Sequence, residues 1–187
     1  MEHFALQEEA RDLLSLWYRE RDEKPFATKK FLDPLKLRRW MGNISIIHLH
    51  EGEKRFFVAL HGAHVARHLG PDFNKKYLED VIPDDAKADA YAPYELSLEV
   101  GLPTYSIQRQ SLQNGLFKSL ERMALPCSTD DPDRISRFLV WVAPIESRGI
   151  GSSSIYTPFN ESEIHPSIEQ KPENTATLFV LSEDWLG

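Results

Sequence analysis

The sequence predicts one α+β domain: a five-stranded antiparallel sheet with short connecting helices on one face, preceded by N-terminal helices. Three observations predict it. Ile44 to Leu49 and Arg55 to Leu60 are β-branched or apolar runs either side of a Glu51-Gly52 turn, which reads as a hairpin. From Gly62 to Gly101 the pattern turns helical in short pieces, punctuated by Gly70, Pro83, Pro93 and Gly101. After Pro103 it returns to strands as far as Ala143. Residues 1–42 are then helices leading into the domain, 43–145 its core, and 146–187 a polar linker and C-terminal tail.

The elements follow in order. Leu6, Ala10, Leu13, Leu14 and Trp17 recur near the helical period, with acidic residues early and arginines late, and Pro25 ends that helix. Asp33-Pro34 is an N-cap followed by proline at the first helical position; the helix it opens runs through Leu35, Leu37 and Trp40 to Gly42. Between the hairpin and Pro103 the short helical pieces are expected from Gly62 to Gly70, around Lys76 to Val81, Asp84 to Tyr91, and Tyr94 to Val100. Thr104 to Leu112 and Leu116 to Leu125 flank Asn114-Gly115, the strongest short hairpin signal. Ile135 to Ala143 is the most apolar strand and is expected at the centre of the sheet. Beyond Pro144, Gly149-Ile150-Gly151 and three serines read as a linker. Residues 146–175 are expected to be extended, and the last ten to pack on the domain or reach a partner.

Composition narrows the function classes. With 187 residues and 41% apolar content the chain can bury a proper core. A single cysteine, Cys127, rules out an intrachain disulfide or a cysteine-rich zinc site. Met1-Glu2-His3-Phe4 has neither the basic nor the apolar region of a signal peptide, and no apolar run approaches the ~20 residues of a membrane span, so a soluble cytoplasmic protein is expected. A net charge of −7 argues against phosphate-backbone binding, so neither nucleic acid nor membrane is an expected partner. The basic cluster Lys29, Lys30, Lys36, Arg38 and Arg39 reads as a solvated helix face, or else as a contact for an acidic partner.

Four stretches carry a resemblance to a known family: LLSLWYRER (13–21), DPLKLRRWM (33–41), RFFVALHG (55–62) and LERMALPCS (120–128). Over roughly residues 10–145 the chain resembles a bacterial PAS-like domain family in which a Trp-containing helix and an Asp-Pro helix precede the first strand. It departs where His61 and Ala63 flank Gly62, positions at which the family more often has Val and Thr. The resemblance implies a PAS fold, which binds varied ligands or none and often mediates dimerisation. It names a scaffold and not a ligand. Haem-binding relatives carry their proximal histidine on a later helix, and Asp84 to Val100 contains none, so an analogous haem site is not expected.

The remaining chemistry lies in the histidines and a few inward-pointing candidates. His61, His64 and His68 suggest a metal site. However, His61 falls at a strand end, and seven helical residues separate it from His68 by about 10 Å, too far for one ion. His64 and His68 alone could share a metal with a further ligand. His48 and His50 alternate on one strand and are expected on its exposed face. No G-x-S-x-G elbow or framed glycine loop occurs, so no catalytic residues, enzyme activity, cofactor or resident metal is expected. Candidate ligand-binding residues are His64, His68, Tyr91, Arg122 and Trp141, with Arg122 imagined beside Trp141 as partner for an anionic ligand. Leu13, Leu14 and Trp17 are the candidate partner surface. The expected function is a stand-alone sensory or regulatory module. It would act through a small-molecule ligand and a homodimer or protein partner. The alternatives are a filled interaction scaffold and a metal-binding sensor using His64 and His68.

Overall fold

The computed structural model describes residues 6–52, 55–69, 72–111, 117–145 and 176–186. Their elements are α1 (Glu8–Arg21), α2 (Pro34–Leu37), β1 (Ile44–Leu49), β2 (Phe56–His61), α3 (Ala63–Leu69), α4 (Leu78–Val81), α5 (Asp84–Val100), β3 (Thr104–Ser111), β4 (Phe117–Cys127), β5 (Arg137–Pro144) and β6 (Ala176–Val180), then a 3₁₀ turn at Glu183–Leu186. The sheet is antiparallel with strand order β2-β1-β5-β4-β3-β6. Helices α3 to α5 lie over one face, which makes this a PAS-like α+β fold, as expected. β5, apolar on both parities, sits between β1 and β4 and is buried on both faces. The Asn114-Gly115 turn and residues 146–175, with the Gly149-Ile150-Gly151 segment, lie outside the described residues; Ser111 and Phe117 are cross-strand partners all the same.

The sheet has six strands rather than five. β6 pairs with β3 through Thr104↔Val180 and Ser106↔Leu178, covering an edge whose backbone groups would otherwise lack partners. Leu178, Phe179 and Leu181 are buried, and Tyr18 donates its hydroxyl to the Leu181 carbonyl at 2.8 Å. These three residues are part of the core.

Helix α1 packs on the other face of the sheet. Glu8 and Glu9 in its first turn and Arg19 and Arg21 in its last complement the helix dipole. Its apolar stripe is fully consumed inside the chain: Leu13, Leu14 and Trp17 are each 0% exposed, in one cluster with Trp141 and Met123. The Trp17 indole donates to the Pro126 carbonyl at 2.8 Å. These three residues are therefore core, not a partner surface, because the outer sheet face is itself apolar and must be covered.

Two helix boundaries differ from expectation. α2 is only four residues long; Asp33 accepts from the Leu35 amide at 2.9 Å, but turns replace the helix from Arg38 to Asn43. Leu35 is 79% exposed, while Trp40 donates its indole N–H to the Glu9 carbonyl at 3.0 Å. Lys36 pairs with Glu20 and Arg39 with Asp12 at 2.9 Å, so part of the basic cluster is neutralised by α1. The second difference is α5, which runs unbroken through Pro93. Proline there removes the N–H that would bond the Asp89 carbonyl and crowds that carbonyl. Arg122 on β4 takes over: its Nη2 donates to the Asp89 carbonyl and its Nη1 to the Ala90 carbonyl, each at 3.1 Å. Thr104 donates to the Pro93 carbonyl at 2.8 Å. The helix survives its proline because the sheet supplies donors.

Candidate functional site: a cavity between the sheet and helices α3 to α5

The inner sheet face and helices α3 to α5 enclose a cavity of about 360 Å³. This is within the range of small-molecule pockets, at its lower end. Its floor is aliphatic, with Ile47, Val58, Leu120, Val140 and Val142 from four strands. Val65, Leu78, Ile82 and Ala86 close it from the helical side. Polar groups stand near both ends: Ser45 and His61 on β1 and β2, and Gln108 and Arg122 on β3 and β4. Three strand steps separate β2 from β4, about 14 Å at the usual ~4.8 Å spacing.

His61 reaches this cavity through a β-bulge. The register runs Ser45↔His61 and Ile46↔Leu60, then jumps to Ile47↔Val58, leaving Ala59 as the extra residue. Strict alternation from Val58 puts His61 on the opposite face; the bulge returns it to the face of Ser45, Ile47 and Val58. Its Nδ1 lies 3.0 Å from Ser45 Oγ, while Nε2 is out of contact with solvent and has no hydrogen-bond partner among the described residues. Burial pushes the imidazole below its ordinary value of 6.5, against a smaller upward pull from Asp72. The ring packs on Phe73, with centroids 5.3 Å apart. Next to it, Gly62 permits close chain contact: a Cβ there would lie 2.4 Å from the Gly42 carbonyl oxygen. That carbonyl accepts from the His64 amide at 2.9 Å, which sets the start of α3.

At the other end, Arg122 is half-buried. Its Nε donates to Ser106 Oγ at 3.3 Å, and its guanidinium carbon lies 5.6 Å from the Tyr94 ring centroid. Burial raises the Tyr94 hydroxyl above its ordinary value, against a smaller lowering by Arg122.

Among the residues expected to contact a ligand, Arg122 lines the cavity. Trp141 does not: it pairs with Met123 and Ile44 and faces α1, whereas Arg122 pairs with Val142 and Ser106 on the inner face. His64 is exposed, its Nδ1 lying 3.1 Å from Asn43 Oδ1, so it turns away from the cavity. Tyr91 packs against Phe56 (centroids 5.2 Å apart) and is not part of the lining. His68 belongs to α3, but its side chain is outside the described residues. His48 is half-buried and His50 exposed, stacked on Phe57 with a centroid separation of 5.7 Å. Among the described residues no three His, Cys, Asp or Glu side chains could hold a metal ion, and no helix is long and apolar enough to cross a membrane. Cys127 is buried, and burial pushes its thiol up to about 12.

Sequence reasoning missed His61, Ser45 and Gln108 as lining. For Gln108 the alternation of β3 was a usable signal, since it shares a parity with Ser106 and Thr104. For His61 no local signal existed, because a bulge is a property of strand pairing.

No family model and no curated protein matches the chain. Among solved structures it is similar to a LOV protein of Rhodobacter sphaeroides, with 13% identity and a TM-score of 0.44, covering 76% of this chain and 71% of that one. The VqmA dimer of Vibrio cholerae matches at 9% identity and a TM-score of 0.42, over 62% of this chain and 51% of that one, so the chain spans about half its length. A sensory box histidine kinase/response regulator of Burkholderia thailandensis matches at 14% identity and a TM-score of 0.37, over 60% of this chain and 85% of that one. At such values the fold assignment stands on the strand order and helix placement themselves.

Proposed function

We propose that this chain is a non-enzymatic, cytoplasmic sensory or regulatory module. It holds a small molecule between the inner sheet face and helices α3 to α5, and acts by associating with a protein partner or a second copy. The single observation that supports this reading is the cavity of about 360 Å³, aliphatic along its floor and polar near its two ends. A scaffold needing only to pack would fill that volume with its own side chains. The PAS-like order of elements, in which helices span one face of the sheet, provides the enclosure. Native mass spectrometry of the purified full chain tests both halves of the proposal. A retained mass above that of the polypeptide, lost on denaturation, and a concentration-dependent dimer or complex are expected. A bare monomer that no small apolar compound stabilises against heat would overturn it.

A further inference from the structure

We infer that the cavity takes a small anion with an apolar body, a carboxylate above all, with its head group met by Arg122; this rests on the cavity being a ligand site. Among the described residues no aspartate or glutamate lines the cavity, in a chain whose net charge is −7. Among the described lining residues the one charged group is the Arg122 guanidinium, since the depressed His61 is neutral at pH 7. A guanidinium has five N–H donors. Three are used here on uncharged acceptors, Ser106 Oγ and the Asp89 and Ala90 carbonyls, and the guanidinium also hydrogen-bonds the uncharged Tyr94 hydroxyl. Every one of these partners is neutral, and among the described residues no carboxylate pairs with the guanidinium. A half-buried cation held only by neutral acceptors is incompletely compensated. A ligand carboxylate would add the shorter, stronger charge-assisted bonds that guanidinium makes with oxyanions. The nearby Gln108 amide can donate to the same head group, while the aliphatic floor toward β2 suits a hydrocarbon or aryl body.

Acidic residues near α4 and the start of α5 oppose an entering anion, but only weakly. Glu79 already accepts from the Arg55 amide at 2.8 Å, and Asp84 pairs with Lys87 at 2.6 Å. Exposed charges are screened beyond about 8 Å at physiological salt, whereas Arg122 acts at contact distance.

The test is isothermal titration of the full chain at pH 7 with hexanoate, octanoate and 4-phenylbutanoate, each against its primary alcohol. Carboxylates are expected to bind about tenfold or more tightly than their alcohols. Arg122→Gln should abolish that preference while leaving alcohol binding in place. Arg122→Lys, which keeps the charge and loses the fork, should retain part of it and guards against misfolding of the Gln variant. Ala86→Phe, which fills the cavity from α5, should abolish binding of both series. Equal affinity of acids and alcohols for the unaltered protein would overturn the anion and leave the ligand cavity standing. Binding of neither series, or binding unaffected by Ala86→Phe, would remove the cavity as a ligand site and the inference with it.

Discussion

Ser45 and His61 are cross-strand partners on β1 and β2, joined by a 3.0 Å side-chain contact inside the cavity, and they face each other only because Ala59 bulges out of register. The bulge carries an ionisable ring into a largely aliphatic chamber. That placement makes the stability of the fold depend on pH.

Burial lowers the His61 value in the folded state below its ordinary 6.5, so folding disfavours the imidazolium. Its contribution to stability is therefore complete above 6.5 and is lost as pH falls through the lower folded value. His48 is lowered as well, by burial first and then by Arg137, and acts in the same direction. Denaturant midpoints should drop between pH 7 and pH 5, and less so in His61→Gln. Imidazole NMR should show His61 titrating below its ordinary 6.5; a His61 midpoint at 6.5 or above would contradict the geometry.

Arg122 and Pro93 form a second coupled pair. Removing the guanidinium in Arg122→Met leaves the Asp89 carbonyl without a donor beneath α5, at a cost of about 1–3 kcal/mol. Pro93→Ala restores the amide that can bond that carbonyl. In the Pro93→Ala background the Arg122→Met cost should shrink, and a double-mutant cycle from urea unfolding measures the coupling. Strict additivity would mean the two do not share the carbonyl.

The C-terminal strand should behave as core. Phe179 and Leu181 are 2% and 0% exposed, so Phe179→Ala should cost about 3–5 kcal/mol and Leu181→Ala about 2–5 kcal/mol. An appended tail would instead tolerate both changes within about 0.5 kcal/mol. Equilibrium denaturation of the two variants separates these outcomes.

Glu121 offers a stabilising substitution. It is 6% exposed on the α1 face, its Oε2 has no partner among the described residues, and burial raises its carboxyl above the ordinary 4.5, against smaller lowering by hydrogen bonds from Tyr105 and Gln7. A raised acid contributes stability below 4.5 and loses it as pH rises through the folded value, so at higher pH burying this group is a cost. Glu121→Gln should raise the melting temperature at pH 7 by about 2–4 °C, the equivalent of about 1 kcal/mol. The gain should vanish at pH 4; a lower melting temperature at pH 7 would count against the reading.

The sequence by itself determined the order of the first five strands, the hairpin at Glu51-Gly52, the central place of the strand ending at Ala143 and the amphipathic α1. Each of these is written in local periodicity and turn chemistry, which depend on residues a few positions apart. It also put Lys118, Leu120 and Arg122 on one parity of β4. It could not say which face that parity meets, because β5 is apolar on both sides and offers no contrast. Tertiary structure alone decided that Trp141 lies on the opposite face from Arg122, that Leu13, Leu14 and Trp17 spend their apolar surface on the chain's own sheet, and that the tail adds a sixth strand. The same holds for Pro93 and His61. A proline reads as a helix end until a guanidinium from a distant strand takes up the carbonyl it strands. A histidine at a strand end has no assigned face until one residue bulges from the pairing and turns it inward.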